Sequence, residues 1–492
     1  MLFILYDKIA VNIFFKKGGE DIKYTHVPIY NSIKEYTKKN PTIFHMPGHK
    51  LGKGFPNKLV KNLVTLDITE IPGTDNLHHP KGAIKKALLL AADAFGAENT
   101  FFLVNGSTCG IHAMIMSVCK PGDRLIIGRD CHKSVLGGLI LARAEPIYIK
   151  PEFNQDFNIS TVISPEEIQR CIRDNPDAVG VLITRPNYYG ICSNITEIAK
   201  IVHSYGKVLM VDEAHGAHFR FNNRLPVCAM DAGADICVQS AHKTLPALTQ
   251  GAYLHVKSTR IDIERLRFNL DLIQTSSPSY ILMSYLDIAR YIMNKSGKYL
   301  LDSLINNVAI FSNELEKINT MRVLNTGKND MDNTRLVINV ANTGNTGYFI
   351  EKKLRLDHNI QVEMSDFYNI ICICTISDRR KEFKRLYKSL KSLALKFTGS
   401  NKLITMCSGQ LPIPDKKMSL YSAIYRKSAK VTLKDAKGLA GKNTITPYPP
   451  GIPLVCPGEI ISEEIIVYIY DIIDKGGTVI GIDDDFKIEI LN

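Results

Sequence analysis

The amino-acid sequence predicts an α/β fold in which a mostly parallel sheet carries helices on both faces. Between residues 80 and 260, short apolar and β-branched runs alternate with helical stretches such as GAIKKALLLAADAFG (82–96). This alternation predicts βαβ units, and uninterrupted apolar runs are typical of strands buried on both faces. The predicted strands are TFFLV (100–104), RLIIG (124–128), PIYIK (146–150), AVGVLIT (178–184), KVLMVD (207–212) and DICVQS (235–240).

Changes of pattern along the chain predict four segments. Residues 1–40 form an N-terminal segment, and residues 41–285 form a large α/β domain. The pattern then becomes helical, and two strand-like runs enclose another helix, which predicts a smaller α/β domain over residues 286–405. A loop-rich connection leads into a C-terminal domain over residues 406–492.

Composition and charge narrow the class of protein. Of the 492 residues, 45% are apolar, which suffices for a large buried core. No apolar run reaches the roughly 18 residues of a membrane span. Lysine and arginine exceed aspartate and glutamate by 12, but they are scattered, so we expect neither a nucleic-acid nor a membrane partner. Eleven cysteines without a CxxC pair predict reduced thiols and a cytoplasmic location.

The first chemical motif is VNGSTCGIHAM (104–114), where a predicted strand leads into a helix. Gly106 permits a tight turn, and Ser107 and Thr108 place hydroxyls beside the free N–H groups of a helix N-terminus. This arrangement suits a phosphate. The alternative is a helix cap that binds no ligand.

The second motif, GRDCHKS (128–134), also follows a predicted strand and contains His132. This histidine could be a ligand, a base or a stacking platform for a planar ring, or it could be purely structural.

The third motif, VLMVDEAHGAHF (208–219), places Asp212 at the end of an apolar strand, where a carboxylate is costly unless it is paired. Such a carboxylate can keep a proton on a heteroaromatic nitrogen. The alternative is a turn or helix cap. Glu213, His215 and His218 also suggest a metal, but the spacing matches no HExxH motif and offers no cysteine, so we expect no metal.

The fourth motif is CVQSAHKTLPALTQGAYL (237–254), in which Lys243 follows a strand and is preceded by Ser240 and His242. An isolated lysine is ordinarily a surface residue. In a partly desolvated pocket, however, a lysine can lose its proton and attack a carbonyl.

Together the four motifs match the requirements of pyridoxal 5′-phosphate. The cofactor needs a phosphate cup, a residue that stacks on its ring, an aspartate at its ring nitrogen and a lysine that holds its aldehyde. Each motif alone is weak evidence for this cofactor, and the prediction rests on their combination.

Longer motifs add a family resemblance that runs from about residue 24 to near the C-terminus. The motifs are HMPGHK, GTDNLHHPKG, CHKS, DEAHGAHF, SAHKTL and YPPGIPLVCPGE. They resemble the short form of the Orn/Lys/Arg decarboxylases, which are fold-type-I pyridoxal-phosphate enzymes related to aminotransferases. The resemblance implies a transferase-like cofactor-binding domain over 41–285, followed by smaller α/β domains that end with a C-terminal decarboxylase domain over 406–492.

The resemblance also implies roles for individual residues. Lys243 would form the Schiff base with the cofactor, Asp212 would pair with the ring nitrogen, and Ala214 and His132 would lie against the two ring faces. Lys243 and His242 are candidates for returning a proton to Cα. Residues implied at or beside the phosphate are Gly106, Ser107, Thr108, Ser240, His242 and, from a neighbouring subunit through the TSSP run, Ser276. Weaker candidates that bind substrate or shape the pocket are Glu459, His215, Asp75, His45 and His49.

One segment departs from the family pattern. TRPNYYG (184–190) carries Arg185 and Asn187 where smaller or hydroxyl residues are usual. The simpler interpretation is that Arg185 faces solvent. If it faced the pocket instead, the substrate preference would be in doubt.

The resemblance implies decarboxylation of a basic amino acid in polyamine biosynthesis, with arginine first and lysine or ornithine as alternatives. It also implies a homodimer or larger homo-oligomer with shared active sites. Two other functions stay open from the sequence: an aminotransferase or aldolase of the same fold, and a catalytically silent homologue that binds a partner.

Overall fold

The computed structural model describes most of the chain. The described residues are 28–492 without 57–58, 60–62, 328–329, 398–412 and 449–450. Two compact units are present, Met1–Thr42 and Ile43–Asn492. The expected boundary between residues 405 and 406, and most of the predicted N-terminal segment, lie outside the described residues.

The described helices and strands follow the alternation expected from the sequence. The helices are α1 (Pro28–Lys38), α2 (Ala83–Phe95), α3 (Gly106–Val118), α4 (Lys133–Ala142), α5 (Pro165–Asp174), α6 (Ile195–Ser204), α7 (Ala241–Thr244), α8 (Ile263–Ile273), α9 (Tyr280–Leu315), α10 (Gly347–Asp357), α11 (Arg380–Phe397), α12 (Leu420–Tyr425) and α13 (Glu463–Asp474). The strands up to the end of the large sheet are β1 (Thr42–Phe44), β2 (Asn99–Leu103), β3 (Arg124–Gly128), β4 (Glu145–Ile149), β5 (Phe153–Asn154), β6 (Ile159–Ser160), β7 (Gly180–Thr184), β8 (Val208–Asp212), β9 (Ile236–Gln239) and β10 (Ala252–Val256). The later strands are β11 (Arg322–Val323), β12 (Arg335–Asn339), β13 (Ile360–Val362), β14 (Met364–Ser365), β15 (Asn369–Ile373), β16 (Ser428–Thr432), β17 (Thr446–Tyr448), β18 (Thr478–Ile480) and β19 (Lys487–Leu491).

The large sheet has seven strands in the order β2-β10-β9-β8-β7-β3-β4. β3 pairs in parallel with β4 and β7, and β8 pairs in parallel with β7 and β9. Only β10 runs against its neighbours β9 and β2, so the other six strands point the same way. The expected α/β architecture with a mostly parallel sheet is confirmed.

Helices bury both faces of this sheet, as the apolar runs require. Within β7, Val181 and Ile183 belong to one core cluster, whereas Leu182 belongs to another on the opposite face. In β8, Val211 and Met210 divide between the same two clusters. Because side chains alternate along a strand, the residues that end each strand have a defined face.

The remaining chain forms smaller sheets. β11, β12, β15 and β14 make an antiparallel sheet, and β16–β19 and β17–β18 are antiparallel pairs near the C-terminus. The boundary expected between residues 285 and 286 falls inside the 36-residue helix α9. In the part of the chain that the structure describes, no helix has the length and apolar character needed to cross a membrane.

Candidate active site

The polar motifs predicted from the sequence meet at one edge of the large sheet. Thr184 ends β7 and is the register neighbour of Asp212 at the end of β8. Asp212 is in turn the register neighbour of Val238 in β9, two residues before Ser240. Ligands of open α/β sheets bind outside the carboxyl ends of the strands, and this edge is therefore the candidate site.

Lys243 lies in the short helix α7, directly after β9. Its Nζ is 3.0 Å from Nε2 of His215. Burial lowers the pKa of Lys243, while the negative charges of Asp212 and Glu363 act in the opposite direction. The side chain therefore has the partly desolvated setting in which a lysine can become a nucleophile.

Asp212 is almost completely buried, with 3% of its surface exposed. One carboxylate oxygen, Oδ1, accepts the backbone N–H of Ala214 at 3.1 Å. Burial raises the pKa of Asp212, and the positive charge of Lys243 opposes the shift. A buried carboxylate with so little hydrogen bonding is expected to have a further partner when the site is in use.

The start of α3 contains the residues that the sequence predicts as a phosphate site. Gly106 begins the helix with φ +77°, in the left-handed region that favours glycine, and donates its N–H to the carbonyl of Gln250 at 2.9 Å. The Oγ atoms of Ser240 and Ser107 are 2.8 Å apart. Thr108 is exposed on the same first turn. Two hydroxyls and a 13-residue helix N-terminus thus meet at one place.

His132 caps the N-terminus of α4. Its Nδ1 accepts the backbone N–H of Ser134 at 3.2 Å and lies 2.8 Å from Oγ of the same serine. Burial, together with the nearby charge of Lys243, lowers the pKa of His132 to about 4. The ring is therefore neutral at pH 7 and fixed in orientation, which is compatible with the expected stacking on a planar ring.

His242 is held by the loop that follows α7. Its Nδ1 lies 2.9 Å from the carbonyl oxygen of Gly251, so this nitrogen carries the proton and donates it. Burial lowers the pKa of His242 to about 4. The proton on Nδ1 is thus already used in a hydrogen bond to the backbone.

Glu459 is buried and bound by an arginine that follows β3. Nη1 and Nη2 of Arg129 donate to its two carboxylate oxygens at 2.8 and 2.7 Å, and the N–H of Cys456 donates at 2.7 Å. This bidentate pair joins the C-terminal region to the strand end that precedes His132.

The interpretation of Arg185 as solvent-facing is wrong. Only 2% of this residue is exposed, and its guanidinium donates to Glu213 at 3.3 Å and to the carbonyls of Val227 and Ser193 at 2.8 and 3.0 Å. Arg185 therefore pairs with the residue after Asp212 instead of facing water. Asn187 is also buried, and it organises its own turn by accepting the N–H groups of Tyr189 and Ile191.

The residues that suggested a metal are engaged separately. Glu213 binds Arg185, His215 contacts Lys243, and His218 contacts Asp332 at 3.1 Å. Within the described ranges, no group of three or more His, Cys, Asp or Glu side chains has the arrangement of a metal site.

The weaker candidates lie in well-defined local contacts. Asp75 accepts the N–H groups of Asn76, Lys81, Gly82 and Ile84, which ties its loop to the start of α2.

Two histidines of the HMPGHK motif belong to an ordered turn. His49 accepts the N–H of Gly52 at 2.9 Å and stacks on Phe55, and the His45 ring contacts the carbonyl of Met46. Ser276 lies in an exposed loop between α8 and α9. An exposed position is compatible with the expected contact to a neighbouring subunit.

Three residues at the site were missed by sequence reasoning. Arg335 at the start of β12 donates from Nη2 to Nδ1 of His215 at 3.2 Å, and Glu363 accepts the N–H of Met46 at 2.8 Å. Thr184 has a buried Oγ1 that finds no hydrogen-bond partner among the described residues. A charged residue at the start of the apolar run TRLVINV was a usable signal for Arg335; Glu363 and Thr184 carried none.

The residues present fit pyridoxal phosphate. The hydroxyl pair at the helix N-terminus suits the phosphate, and the under-bonded Asp212 carboxylate suits a protonated ring nitrogen. The unpartnered Thr184 hydroxyl lies on the same sheet face as Asp212, because the two residues are in register, and is available to a ring oxygen. Lys243 has the amine group that the aldehyde of this cofactor requires.

The fold and these residues define the fold-type-I class of pyridoxal-phosphate enzymes. The Orn/Lys/Arg decarboxylase major-domain family matches residues 27–337, and its C-terminal-domain family matches residues 411–483. This chain belongs to the Orn/Lys/Arg decarboxylase family.

Similar proteins agree with this assignment. The arginine decarboxylase of Bacillus subtilis (strain 168) is 38% identical over 93% of this chain and 96% of its own length. That of Bacillus anthracis is 36% identical over 93% and 95%. The crystal structure of a lysine decarboxylase from Francisella novicida superposes with a TM-score of 0.76, at 21% identity, over 88% of this chain and 75% of its own. The predicted family, fold and decarboxylase class are confirmed.

Proposed function

We propose that this chain decarboxylates a basic amino acid, with arginine preferred over lysine and ornithine, and that it uses pyridoxal phosphate attached to Lys243. The observation that carries the proposal is the convergence of Lys243, Asp212 and the Ser107–Ser240 hydroxyl pair on one sheet edge. The preference for arginine is supported by relatives named arginine decarboxylase at 36–38% identity over 93% of the chain.

Bound pyridoxal phosphate would supply an electron sink for the pair of electrons left on Cα when carbon dioxide departs. Asp212 would maintain that sink by holding a proton on the ring nitrogen, because a buried carboxylate favours the charged form of a cation beside it. His132 and Ala214 would lie against the cofactor ring. The Ser107 and Ser240 hydroxyls and the N–H groups of α3 would hold the phosphate, with Thr108 beside them.

Lys243 is the proposed carrier of the proton that returns to Cα. Its amine lies inside the site, 3.0 Å from Nε2 of His215, where it can accept and return a proton. His242 fits this role less well, because its Nδ1–H is engaged by the carbonyl of Gly251.

The cationic end of the substrate requires an acidic partner. Glu459 was the expected candidate, but both of its oxygens accept hydrogen bonds from Arg129. We therefore propose Glu363 as the acidic partner. It acts electrostatically on Lys243, it accepts the backbone N–H of Met46, and it forms no ion pair within the described part of the chain. Glu459 would act by fixing Arg129 near the site entrance.

The proposed assembly is a homodimer or a larger homo-oligomer, with the exposed loop around Ser276 reaching a neighbouring subunit's phosphate site. The proposed compartment is the cytoplasm, in keeping with ten described cysteines that are free and buried.

Product analysis tests this function. The purified full chain is incubated with pyridoxal phosphate and, separately, with arginine, lysine and ornithine. Release of carbon dioxide and of the matching amine, fastest with arginine, is expected. Formation of a keto acid instead would indicate an aminotransferase and would refute the proposal.

A lysine variant tests the attachment site. Lys243→Ala is expected to abolish carbon dioxide release, and borohydride reduction of the wild type is expected to leave a pyridoxyl group on the peptide that contains Lys243. Turnover at the wild-type rate by Lys243→Ala, or a label on another peptide, would refute the assignment.

A further inference from the structure

Three side chains form a continuous hydrogen-bonded row that ends on the proposed cofactor lysine. Nη2 of Arg335 lies 3.2 Å from Nδ1 of His215, and Nε2 of the same ring lies 3.0 Å from Nζ of Lys243. Arg335 and His215 are buried, and the His215 ring also lies against Tyr188, with ring centroids 5.2 Å apart. The imidazole is therefore fixed at three points.

Hydrogen-bond chemistry determines the direction of this row. An arginine has five N–H donors and no acceptor, so Nδ1 of His215 must accept and cannot carry a proton. A neutral imidazole then carries its proton on Nε2, and this N–H must donate to Nζ. An ammonium group has no lone pair to accept it, whereas a free amine has one.

We propose that Arg335 acts through His215 to hold Lys243 as a free amine, with its lone pair available for bonding to the cofactor aldehyde. Arg335 is thus a positioning residue that acts at a distance from the reacting atom. This inference rests on the proposed function, because it concerns the lysine that would carry pyridoxal phosphate.

The bond-forming step depends on that lone pair. Nζ forms a new bond to the aldehyde carbon, and one water leaves, with its oxygen from the aldehyde and its two hydrogens from the amine. No oxidant, reductant or further reactant is needed. An ammonium group would first have to lose a proton, so a residue that favours the amine makes attachment faster at neutral pH.

Other charges around Nζ do not explain a free amine. Asp212 and Glu363 favour the ammonium form, and only Arg335 and desolvation oppose it. His215 itself is neutral, since burial and the adjacent guanidinium of Arg335 lower its pKa well below the ordinary value. The titratable and charged groups that face Lys243 are Asp212, His132, His215, His242, Arg335 and Glu363.

Arg335 could influence Lys243 in two ways, by its charge alone or through the proton on His215. His215→Asn keeps the charge of Arg335 but removes the Nε2–H donor. If Arg335 acts through this donor, His215→Asn should make the free amine of Lys243 less favourable, as Arg335→Met should. If Arg335 acts by its charge alone, His215→Asn should leave the free amine of Lys243 as favourable as in the wild type.

The experiment measures cofactor attachment and not turnover. Full-length protein is freed of cofactor with hydroxylamine, mixed with pyridoxal phosphate over a pH series, and quenched with borohydride at set times. Mass spectrometry then quantifies the pyridoxyl group on the Lys243 peptide. The midpoint of attachment rate against pH reports the protonation of Nζ.

Arg335→Met and His215→Asn are each expected to raise this midpoint by about one pH unit or more, which slows attachment at pH 7 by about tenfold per unit. The double variant is expected to shift no further than either single variant, because both changes interrupt one row. Arg335→Lys, which keeps a charged donor, is expected to recover most of the rate. The matched control is Arg290→Met, which removes another buried arginine, one paired with Asp287 on α9.

The possible outcomes separate the inference from the proposed function. An unshifted midpoint in His215→Asn, or additive shifts in the double variant, would overturn the row while leaving the cofactor lysine in place. If wild-type protein acquires no label on Lys243, the proposed function itself fails. Should Arg335→Met not fold, as judged by thermal unfolding, His215→Asn and Arg335→Lys still decide the matter.

Discussion

The two faces at the end of the large sheet carry similar polar residues in different states. On one face, Thr184, Asp212 and Ser240 belong to the proposed site. Their immediate neighbours Arg185, Glu213 and Gln239 point to the opposite face, because side chains alternate along a strand. There Glu213 accepts from Arg185 at 3.3 Å and from Gln239 at 2.7 Å.

The hydrogen bonds on this opposite face continue into the sheet. We call it the closed face, because each of these polar side chains has a protein partner. Gln239 contacts His255 at 3.3 Å, and His255 contacts Thr100 at 2.8 Å. On the site face, which we call the open face, the buried Thr184 hydroxyl lacks a partner among the described residues, and Asp212 accepts one hydrogen bond, from the N–H of Ala214. A buried polar group that is satisfied by protein contributes to stability, whereas one that is left open is available to a ligand.

The largest expected effect is on the closed face. Glu213→Ala leaves the Arg185 guanidinium buried without its carboxylate, so the free energy of unfolding should fall by about 3–5 kcal/mol in urea titrations. The double variant Glu213→Ala/Arg185→Met should recover a large part of this loss, because no unpaired charge remains. A single variant as stable as wild type would contradict a structural role for the pair.

Asp212→Asn tests the open face at the adjacent position. Turnover should fall by about 10²–10³-fold, because the ring nitrogen loses its anionic partner. The free energy of unfolding should stay the same or rise, since burial already disfavours the charged form of Asp212. Steady-state kinetics and urea unfolding on the same preparation provide the comparison. A large loss of stability with normal turnover would reverse the roles assigned to the two faces.

A matched pair of threonines gives a smaller and cleaner contrast. Thr100→Val removes the partner of buried His255, so it should cost about 1–3 kcal/mol of stability and leave cofactor affinity unchanged. Thr184→Val removes a hydroxyl that has no protein partner. It should leave stability unchanged and weaken cofactor binding by about 0.5–1.5 kcal/mol. Spectroscopic titration with pyridoxal phosphate and thermal unfolding distinguish the two patterns.

The architecture was predictable because local signals agreed with it. Apolar runs bounded by helical stretches gave six of the seven strands of the large sheet. The strand β10 was missed, because AYLHV follows a loop and reads as a continuation of the lysine motif. The helix α9 runs through the boundary placed at residue 285, since a helical pattern alone does not reveal where one domain ends.

The site was predictable only where a motif lies in one continuous segment. Asp212, Lys243 and the Gly106–Thr108 turn each follow a strand, and parallel strands bring their ends together. Arg335 and Glu363 come from the later part of the chain, and their approach to Lys243 depends on tertiary packing. Likewise, nothing local indicates that Arg185 turns inward to Glu213, since the pairing spans 28 residues.

Asp75 offers an effect of similarly small size and tests what a carboxylate with all its hydrogen bonds made does for stability. Partial burial alone would raise its pKa, but the backbone N–H groups of Lys81, Asn76 and Gly82 lower it to about 2. The folded-state pKa is therefore depressed, so the stabilisation is present above the unfolded value of 3.8 and is lost as the pH falls through about 2. Asp75→Ala should lower the free energy of unfolding at pH 7 by about 0.5–2 kcal/mol, and the difference from wild type should shrink as the pH falls and vanish below about pH 2. A raised KM for arginine at unchanged stability would instead assign Asp75 to substrate binding, and the distinction between satisfied and open carboxylates would then fail at this position.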